Sequence, residues 1–260
     1  MDSEGLQQRP FFTCLKKADR KDLFKVSQFH KPFFCLEKIQ AFKQEWKHII
    51  DSFIEEYIWE YNASINIFRV SGTCHPDYQG MTWNEFLEKG KRMQINLMLF
   101  EENPGYYLNT EHKEPTMSYI QIDGGNYFVD ADGNHRTCIA KFYFFLKERV
   151  YLHGVELKHY RINHSALELY TRLKTKYHIT PILKKLSRED TPGWMQEHYQ
   201  TEFKLDNGDV IDMARAKKLL KSKNIIKKFW TFIVREVSNH AQEIFLILFI
   251  LYFPSGTGRG

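Results

Sequence analysis

The sequence predicts an α+β fold in which a small mixed sheet is packed with helices. Three observations carry that expectation. The chain is 260 residues long and 43% hydrophobic, enough to bury a sizeable core. Residues 119–129 read as a β-hairpin, because the β-branched and aromatic runs Tyr119-Ile120-Gln121-Ile122 and Tyr127-Phe128-Val129 flank Asp123-Gly124-Gly125-Asn126, which supplies positive-φ turn positions. Elsewhere apolar residues recur at three and four, the spacing of helices with one buried face.

Residues 1–35 set Phe11, Phe12, Phe24, Phe29, Phe33 and Phe34 among Lys16, Lys17, Arg20, Lys21 and Lys25. Such an arm can stack bases and neutralise phosphates, or pack its rings on a neighbouring surface, which is the commoner use. From Leu36, the spacing of Ile39, Phe42, Trp46, Ile49, Ile50, Phe53, Ile54 and Tyr57 predicts one continuous core helix. Ser64–Val70 alternates as a strand, and Gly72–Gly80 with Pro76 reads as a loop.

Thr82-Trp83-Asn84-Glu85 has the spacing of a capping box and predicts a short helix to about Lys91. Gln94–Phe100 is expected to be a strand. Glu101, Glu102 and Asn103 at its end are candidate ligands for a metal or a sugar, or simply a solvated loop end.

After the hairpin comes Asp132-Gly133-Asn134-His135-Arg136 and a helix through Ile139, Phe142, Tyr143 and Leu146, with Asp132 or Asn134 available as its cap. A helix start leaves backbone N–H groups without partners and favours an anion. Gly133 lets a phosphate approach the backbone. Arg136 can fork onto phosphate oxygens, and His135 can donate a bond or move a proton. The other reading is an ordinary capped strand-to-helix turn. Asp130 and Asp132 can hold a divalent ion beside such a phosphate site; alternatively they end the strand and cap the helix. The run is not a calcium loop, since its glycine is fourth rather than sixth and no Glu follows at the twelfth position.

Strand, glycine turn, strand, D-G-N-H-R opening a helix, then a strand over Val155–Asn163 and a further helix resembles the core of the ParB/sulfiredoxin superfamily. That resemblance spans roughly residues 95–175 and implies that Gly133, Asn134, His135 and Arg136 hold nucleotide phosphates. The sulfiredoxin branch carries a nucleophilic Cys before the His-Arg pair, where this chain has Asn134, so cysteine repair is not expected. One such core with a long aromatic-rich N-terminal extension and no evident helix-turn-helix is most similar to the plasmid fertility-inhibition type. The implied activity is ATP hydrolysis with DNA cleavage, using ATP and Mg2+ as cofactors, with His135 and Arg136 catalytic and Asp130 and Asp132 holding the metal. A nucleotide, DNA and a component of a DNA-transfer apparatus are the implied partners.

Val155–Ile162 alternates as a half-exposed strand, with a helix over Ser165–Lys176. His159, Arg161 and His164 can reach the same anion in a compact sheet, or form ordinary surface alternation. Pro181 and Thr191-Pro192-Gly193 break up the next stretch, and Asp206-Asn207-Gly208-Asp209 predicts a hairpin. From Ala214, Leu219, Ile226, Trp230, Ile233 and Val237 share one face of a helix, opposite Lys217, Lys221, Lys228 and Arg235. This basic amphipathic helix can contact nucleic acid or an anionic membrane surface. Residues 244–253 are wholly apolar; they are too short to cross a bilayer, which takes ~20 residues, and are expected to bury against the core, a partner or the membrane interface.

Lys and Arg outnumber Asp and Glu by 37 to 32, which permits an anionic partner without requiring one. Cys14, Cys35, Cys74 and Cys138 are too widely spaced for a zinc site or a disulfide framework, so free thiols in a reducing compartment are expected. The polar start MDSEGLQQRP lacks a signal-peptide core. A cytoplasmic protein is expected, with the inner membrane face as a site of peripheral association. The expected organisation is an extension over 1–93, a nucleotide-binding core over 94–190, and a C-terminal hairpin, basic helix and apolar tail over 191–260.

Overall fold

The computed structural model describes residues 19–221. The chain divides into two compact units, Met1–Leu167 with Pro181–Thr201, and Glu168–Thr180 with Glu202–Gly260. The architecture is mixed α+β.

In the first unit, α1 (Arg20–Lys25) runs into a π-helical turn at Val26–His30. Strand β1 is Gln40–Ala41, α2 is Gln44–Phe53, β2 is Ile54–Asn66 and β3 is Val70–Thr73. Helices α3 (Trp83–Lys89), α4 (Met93–Glu102) and α5 (Gly105–Leu108) lead to β4 (Ser118–Ile122) and β5 (Tyr127–Val129). The central helix α6 (Asn134–Leu146) is followed by β6 (Tyr151–Ile162), and, after α7 (His164–Tyr177), which belongs mostly to the second unit, by β7 (Thr180–Thr191) and β8 (Trp194–Lys204). The strand order is β1-β3-β5-β4-β6-β2-β8-β7. The sheet is mixed: β3 and β5 are parallel, β4 and β6 are parallel, and β4–β5, β2–β6 and β2–β8 are antiparallel. In the second unit, β9 (Val210–Ile211) pairs with the end of β8 at Phe203 and Lys204.

Helix α6 is the hub of the core. Thr137 through Phe144 are all buried, so this helix lacks a solvent face and shows no amphipathic stripe, as expected of a helix enclosed on all sides. Phe34 packs edge-on against Phe142, Phe100 against Tyr143, and both of these helix residues are essentially inaccessible. Of the aromatic N-terminal arm, Phe34 is core, while Phe29 and Phe33 remain exposed.

Several expected elements take a different form. The single helix from Leu36 to Tyr57 is instead β1, a shorter α2 and the first part of β2. Residues 56–60 pair on both sides, Tyr57 with Tyr160 on β6 and with Glu197 on β8. The three-and-four spacing across Phe53, Ile54 and Tyr57 therefore arises from a helix end and a strand face, and strand pairing with distant segments decides the outcome. The expected strand over Gln94–Phe100 is α4, with Met93, Leu97 and Phe100 buried at helical spacing. The expected strand over Ser64–Val70 is the end of β2, a 3-10 turn at Ile67–Arg69 and the first residue of β3. Pro181 and Pro192 do not break up their region: Pro181 is the second residue of β7 and Pro192-Gly193 form the turn into β8, with Gly193 at φ +81°, positions where a strand tolerates proline.

The capping box at Thr82–Glu85 is present in full, and the hairpin at 119–129 pairs Tyr119 with Val129 and Gln121 with Tyr127. Residues 213–221 are helical, the start of the expected basic helix. Lys228, Arg235 and the apolar run 244–253 lie outside the described residues. No helix among the described residues is long and apolar enough to cross a membrane. Cys35, Cys74 and Cys138 are free thiols.

Candidate functional site

The hairpin turn delivers the chain to α6. Asp123 and Gly124 both have positive φ, the conformation a tight hairpin requires. Arg69 ties the turn down by donating to the carbonyls of Gly124 (2.5 Å) and Gly125 (2.8 Å). Beyond β5, the backbone is locked to the start of β4: Asp130 N donates to Ser118 O (2.9 Å), Ser118 N to Asp132 O (3.1 Å), and Asp132 N to Ser118 Oγ (3.2 Å).

Gly133 then adopts φ +107°, and a Cβ there would lie 3.2 Å from Met117 Cα. Glycine is required on both counts. Gly133, rather than Asp132 or Asn134, occupies the N-cap position of α6, and no side chain caps the helix. Its first backbone bond runs from Thr137 N to Gly133 O (2.7 Å). Asp132 Oδ1 instead accepts from Gly133 N (2.7 Å) and pairs with Arg136 at 2.7 Å. Asn134 is buried and accepts from Thr73 Oγ1 at 2.5 Å.

His135 and Arg136 diverge, as adjacent residues on a helix do. His135 Nε2 meets the carbonyl of Lys91, and its ring lies against Tyr78 and Phe86. Burial depresses its basicity despite that hydrogen bond. Arg136 points the other way, donating to Pro115 O (2.7 Å) and Thr116 O (3.0 Å), with Tyr106 Oη at 3.5 Å. Tyr106 Oη donates to the same Pro115 carbonyl (2.6 Å). The guanidinium thus clamps the segment before β4.

A cavity of about 370 Å³ opens beside this clamp. Asp132 and Arg136 form part of its wall; Asn96, Asn103, Glu102 and Glu114 add polar groups, and Leu99, Phe100, Tyr106 and Tyr107 supply apolar and aromatic surface. Burial pushes the Tyr106 phenol up to about 12 although Arg136 opposes the shift, so Tyr106 is a neutral hydroxyl. Of the acidic loop singled out in the sequence, Glu102 and Asn103 reach the cavity, whereas Glu101 is bound by Arg20 at 2.5 Å.

Asp130 and Asp132 have separate partners. Asp130 pairs with Lys158 at 2.6 Å and Asp132 with Arg136, and among the described residues there is no group of three or more His, Cys, Asp or Glu side chains arranged to hold a metal. Arg161 and His164 do not converge on Arg136: they pair with Glu56 (3.0 Å) and Asp123 (2.8 Å). His159 lies opposite Ile58 on β2. Lys217 and Lys221 are exposed on the helix at 213–221.

Sequence reading missed Tyr106, Tyr107, Asn96 and Glu114 as cavity residues. Their only signal was a Tyr-Tyr pair after the Pro104-Gly105 turn. It also missed two buried lysines. Lys141 Nζ lies 4.6 Å from the Trp83 ring centroid and 5.0 Å from that of Phe34, with Phe68 O at 3.5 Å; burial lowers its pKa to about 8. Lys113 donates to Asn109 O (2.9 Å) and is likewise lowered by burial to about 8. Comparison with known proteins returned no matching family model, no matching curated protein and no matching solved structure.

Proposed function

We propose that this chain is a nucleotide-binding phosphohydrolase, an ATPase with accompanying DNase activity that interferes with plasmid or conjugative DNA transfer, in the manner of the fertility-inhibition protein Osa that its D-G-N-H-R junction resembles. The observation that supports this reading is the cavity beside the start of α6, where Arg136 and Asp132 share a wall with two amides and two tyrosines. Its volume falls in the range of small-molecule sites. Tyr106 offers flat surface to a base, and Asn96 and Asn103 offer donors and acceptors to its edge.

The wall carries Glu102, Glu114 and Asp132 against Arg136. That balance repels a bare polyphosphate, and because the described carboxylates do not form a metal-binding group, a divalent cation would arrive on the nucleotide's own phosphates. Magnesium would neutralise phosphate charge there. Arg136 orients the phosphates by exchanging its contacts with Asp132 and Tyr106 for phosphate oxygens. His135, neutral and packed on α3, positions the helix start instead of reaching the cavity. In the reaction, water attacks the terminal phosphorus and the bond to the bridging oxygen breaks, giving the diphosphate, inorganic phosphate and a proton.

A second reading is favoured by a specific observation: the donors of Arg136 are engaged by two carbonyls and Asp132. In that reading the pocket is vestigial, and the chain is a non-catalytic DNA- or protein-binding factor using basic residues such as Lys217 and Lys221.

Isothermal titration of ATP and CTP, each with magnesium, separates the two. The expected result is micromolar binding of ATP, weakened at least tenfold in Asn103→Ala and lost in a folded Arg136→Ala variant. Preference for CTP would move the chain to a ParB-like DNA-binding switch. Failure of a folded wild-type chain to bind either nucleotide would overturn the phosphohydrolase reading in favour of the interaction protein.

A further inference from the structure

Among the described strands, β7 ends the sheet. It neighbours β8 on one side and no other described strand on the other. Every residue from Lys184 to Thr191 is exposed, Leu186 at 57%. A long edge strand accessible on both faces presents a row of backbone N–H and C=O groups to any extended chain that can match it. Charges usually blunt such an edge. Here the order of the charges selects a partner.

Lys184-Lys185-Leu186-Ser187-Arg188-Glu189-Asp190 is antisymmetric in charge at its ends. Counting outward from Ser187, the third residues are Lys184 and Asp190, and the second are Lys185 and Glu189. Two copies of β7 running antiparallel about a twofold axis through Ser187 place Lys184 opposite Asp190 and Lys185 opposite Glu189. Symmetry makes each of these pairs twice. Leu186 falls opposite Arg188, whose aliphatic stem covers it.

Competing registers lack this match. Moving the axis one residue towards the N-terminus, through Leu186, sets Lys184 against Arg188, and in-register parallel pairing sets every charge against itself. Directly opposed unlike charges stabilise a strand pair, while like charges weaken it. Within the chain, Lys185 and Arg188 are already anchored on the buried carboxylate of Glu197, at 2.5 and 3.3 Å. Glu197 lies on β8, so these contacts order the two side chains, which keep 46% and 50% of their surface exposed.

We propose that β7 is a dimerisation strand, and that a second copy of this chain adds to it antiparallel across Ser187, continuing the sheet from one copy into the next. One strand per copy buries less than the roughly 1,200–2,000 Å² of a stable interface. The association is accordingly weak and reversible, in the micromolar range.

The test uses the full chain. Sedimentation of the wild type should show a concentration-dependent monomer–dimer equilibrium. Opposed residues of an antiparallel pair have Cβ atoms about 4.5–5.5 Å apart, so Ser187→Cys should give a disulfide between the two introduced thiols on mild oxidation, identified by peptide mapping against the native cysteines. Glu189→Lys combined with Asp190→Lys replaces all four unlike pairs with like ones; dimerisation and the crosslink should both fall at least tenfold. Glu189→Lys alone, which leaves the Arg188–Asp190 ion pair (2.6 Å) in place, should give an intermediate loss with an unchanged circular dichroism spectrum. A wild type that stays monomeric into the millimolar range would overturn the proposal. So would a dimer, or a crosslink at position 187, that the charge reversals leave intact.

Discussion

Lys141 shows how far a single residue can depart from its surface stereotype. Its amine is fully buried between two aromatic rings, where cation–π attraction offsets part of the cost of desolvation. The pKa falls from 10.5 to about 8, so the unfolded chain binds the proton more tightly than the folded one. The resulting penalty is present in full below about pH 8, shrinks as pH rises towards 10.5, and vanishes above it. Lys141→Met should therefore raise stability at pH 7 by an amount on the order of 3 kcal/mol, since each tenfold loss of proton affinity on folding costs about 1.4 kcal/mol. Urea unfolding of both proteins at pH 7 and at about pH 10.5 checks this, with the difference expected to narrow at the higher pH. Gly133 was singled out in the sequence for phosphate approach, whereas the structure gives it a conformational role at the N-cap of α6. Its φ of +107° and the nearby Met117 backbone predict that Gly133→Ala costs about 1–3 kcal/mol, measurable by the same unfolding experiment.

Local chemistry wrote some elements out in full and left others ambiguous. The Thr82–Glu85 capping box is a contiguous signal, and both of its reciprocal bonds form. Thr82→Ala should lower stability by about 1 kcal/mol, read as a lower melting temperature with an unchanged fold. The Asp123–Asn126 turn is equally self-contained, because two positive-φ residues between apolar runs leave few alternatives. By contrast, residues 54–59 fit a helix face as well as a strand, and only their pairing with β6 and β8 selects the strand. Helix α4 fails in the reverse sense. Its short apolar run carries no caps, and α4 has no side-chain N-cap bond and begins after Arg92 in a left-handed conformation, so nothing in the sequence marks where it starts.

For the whole molecule, the D-G-N-H-R junction was correctly placed between a strand and a helix, yet its side chains disperse. Asn134 reaches Thr73, His135 reaches Lys91, and Arg136 reaches Pro115 and Thr116. Only Arg136 and Asp132 border the cavity, and the other walls come from α4, α5 and the residues before β4. The nucleotide titration therefore tests a pocket assembled from several segments. The sheet raises a separate whole-molecule question, since among the described strands β7 has a neighbour on one side alone. The β7 charge reversals address self-association without touching any residue of the cavity, so the two experiments report independently.

Turn chemistry and short-range periodicity, which act over a few residues, were enough for the α+β class, the hairpin at 119–129, the strand-to-helix junction ahead of α6, and the strand and helix that follow it, but not for Gly133 as the N-cap. Long-range packing settled the rest: that residues 54–59 are a central strand, that Pro192-Gly193 closes a long hairpin, that Lys141 is buried, and which residues face the cavity. Each of these depends on groups far apart in the chain meeting in space. Strand partners supply hydrogen bonds that propensity does not encode, and burial of a charged amine depends on rings contributed by Phe34 and Trp83.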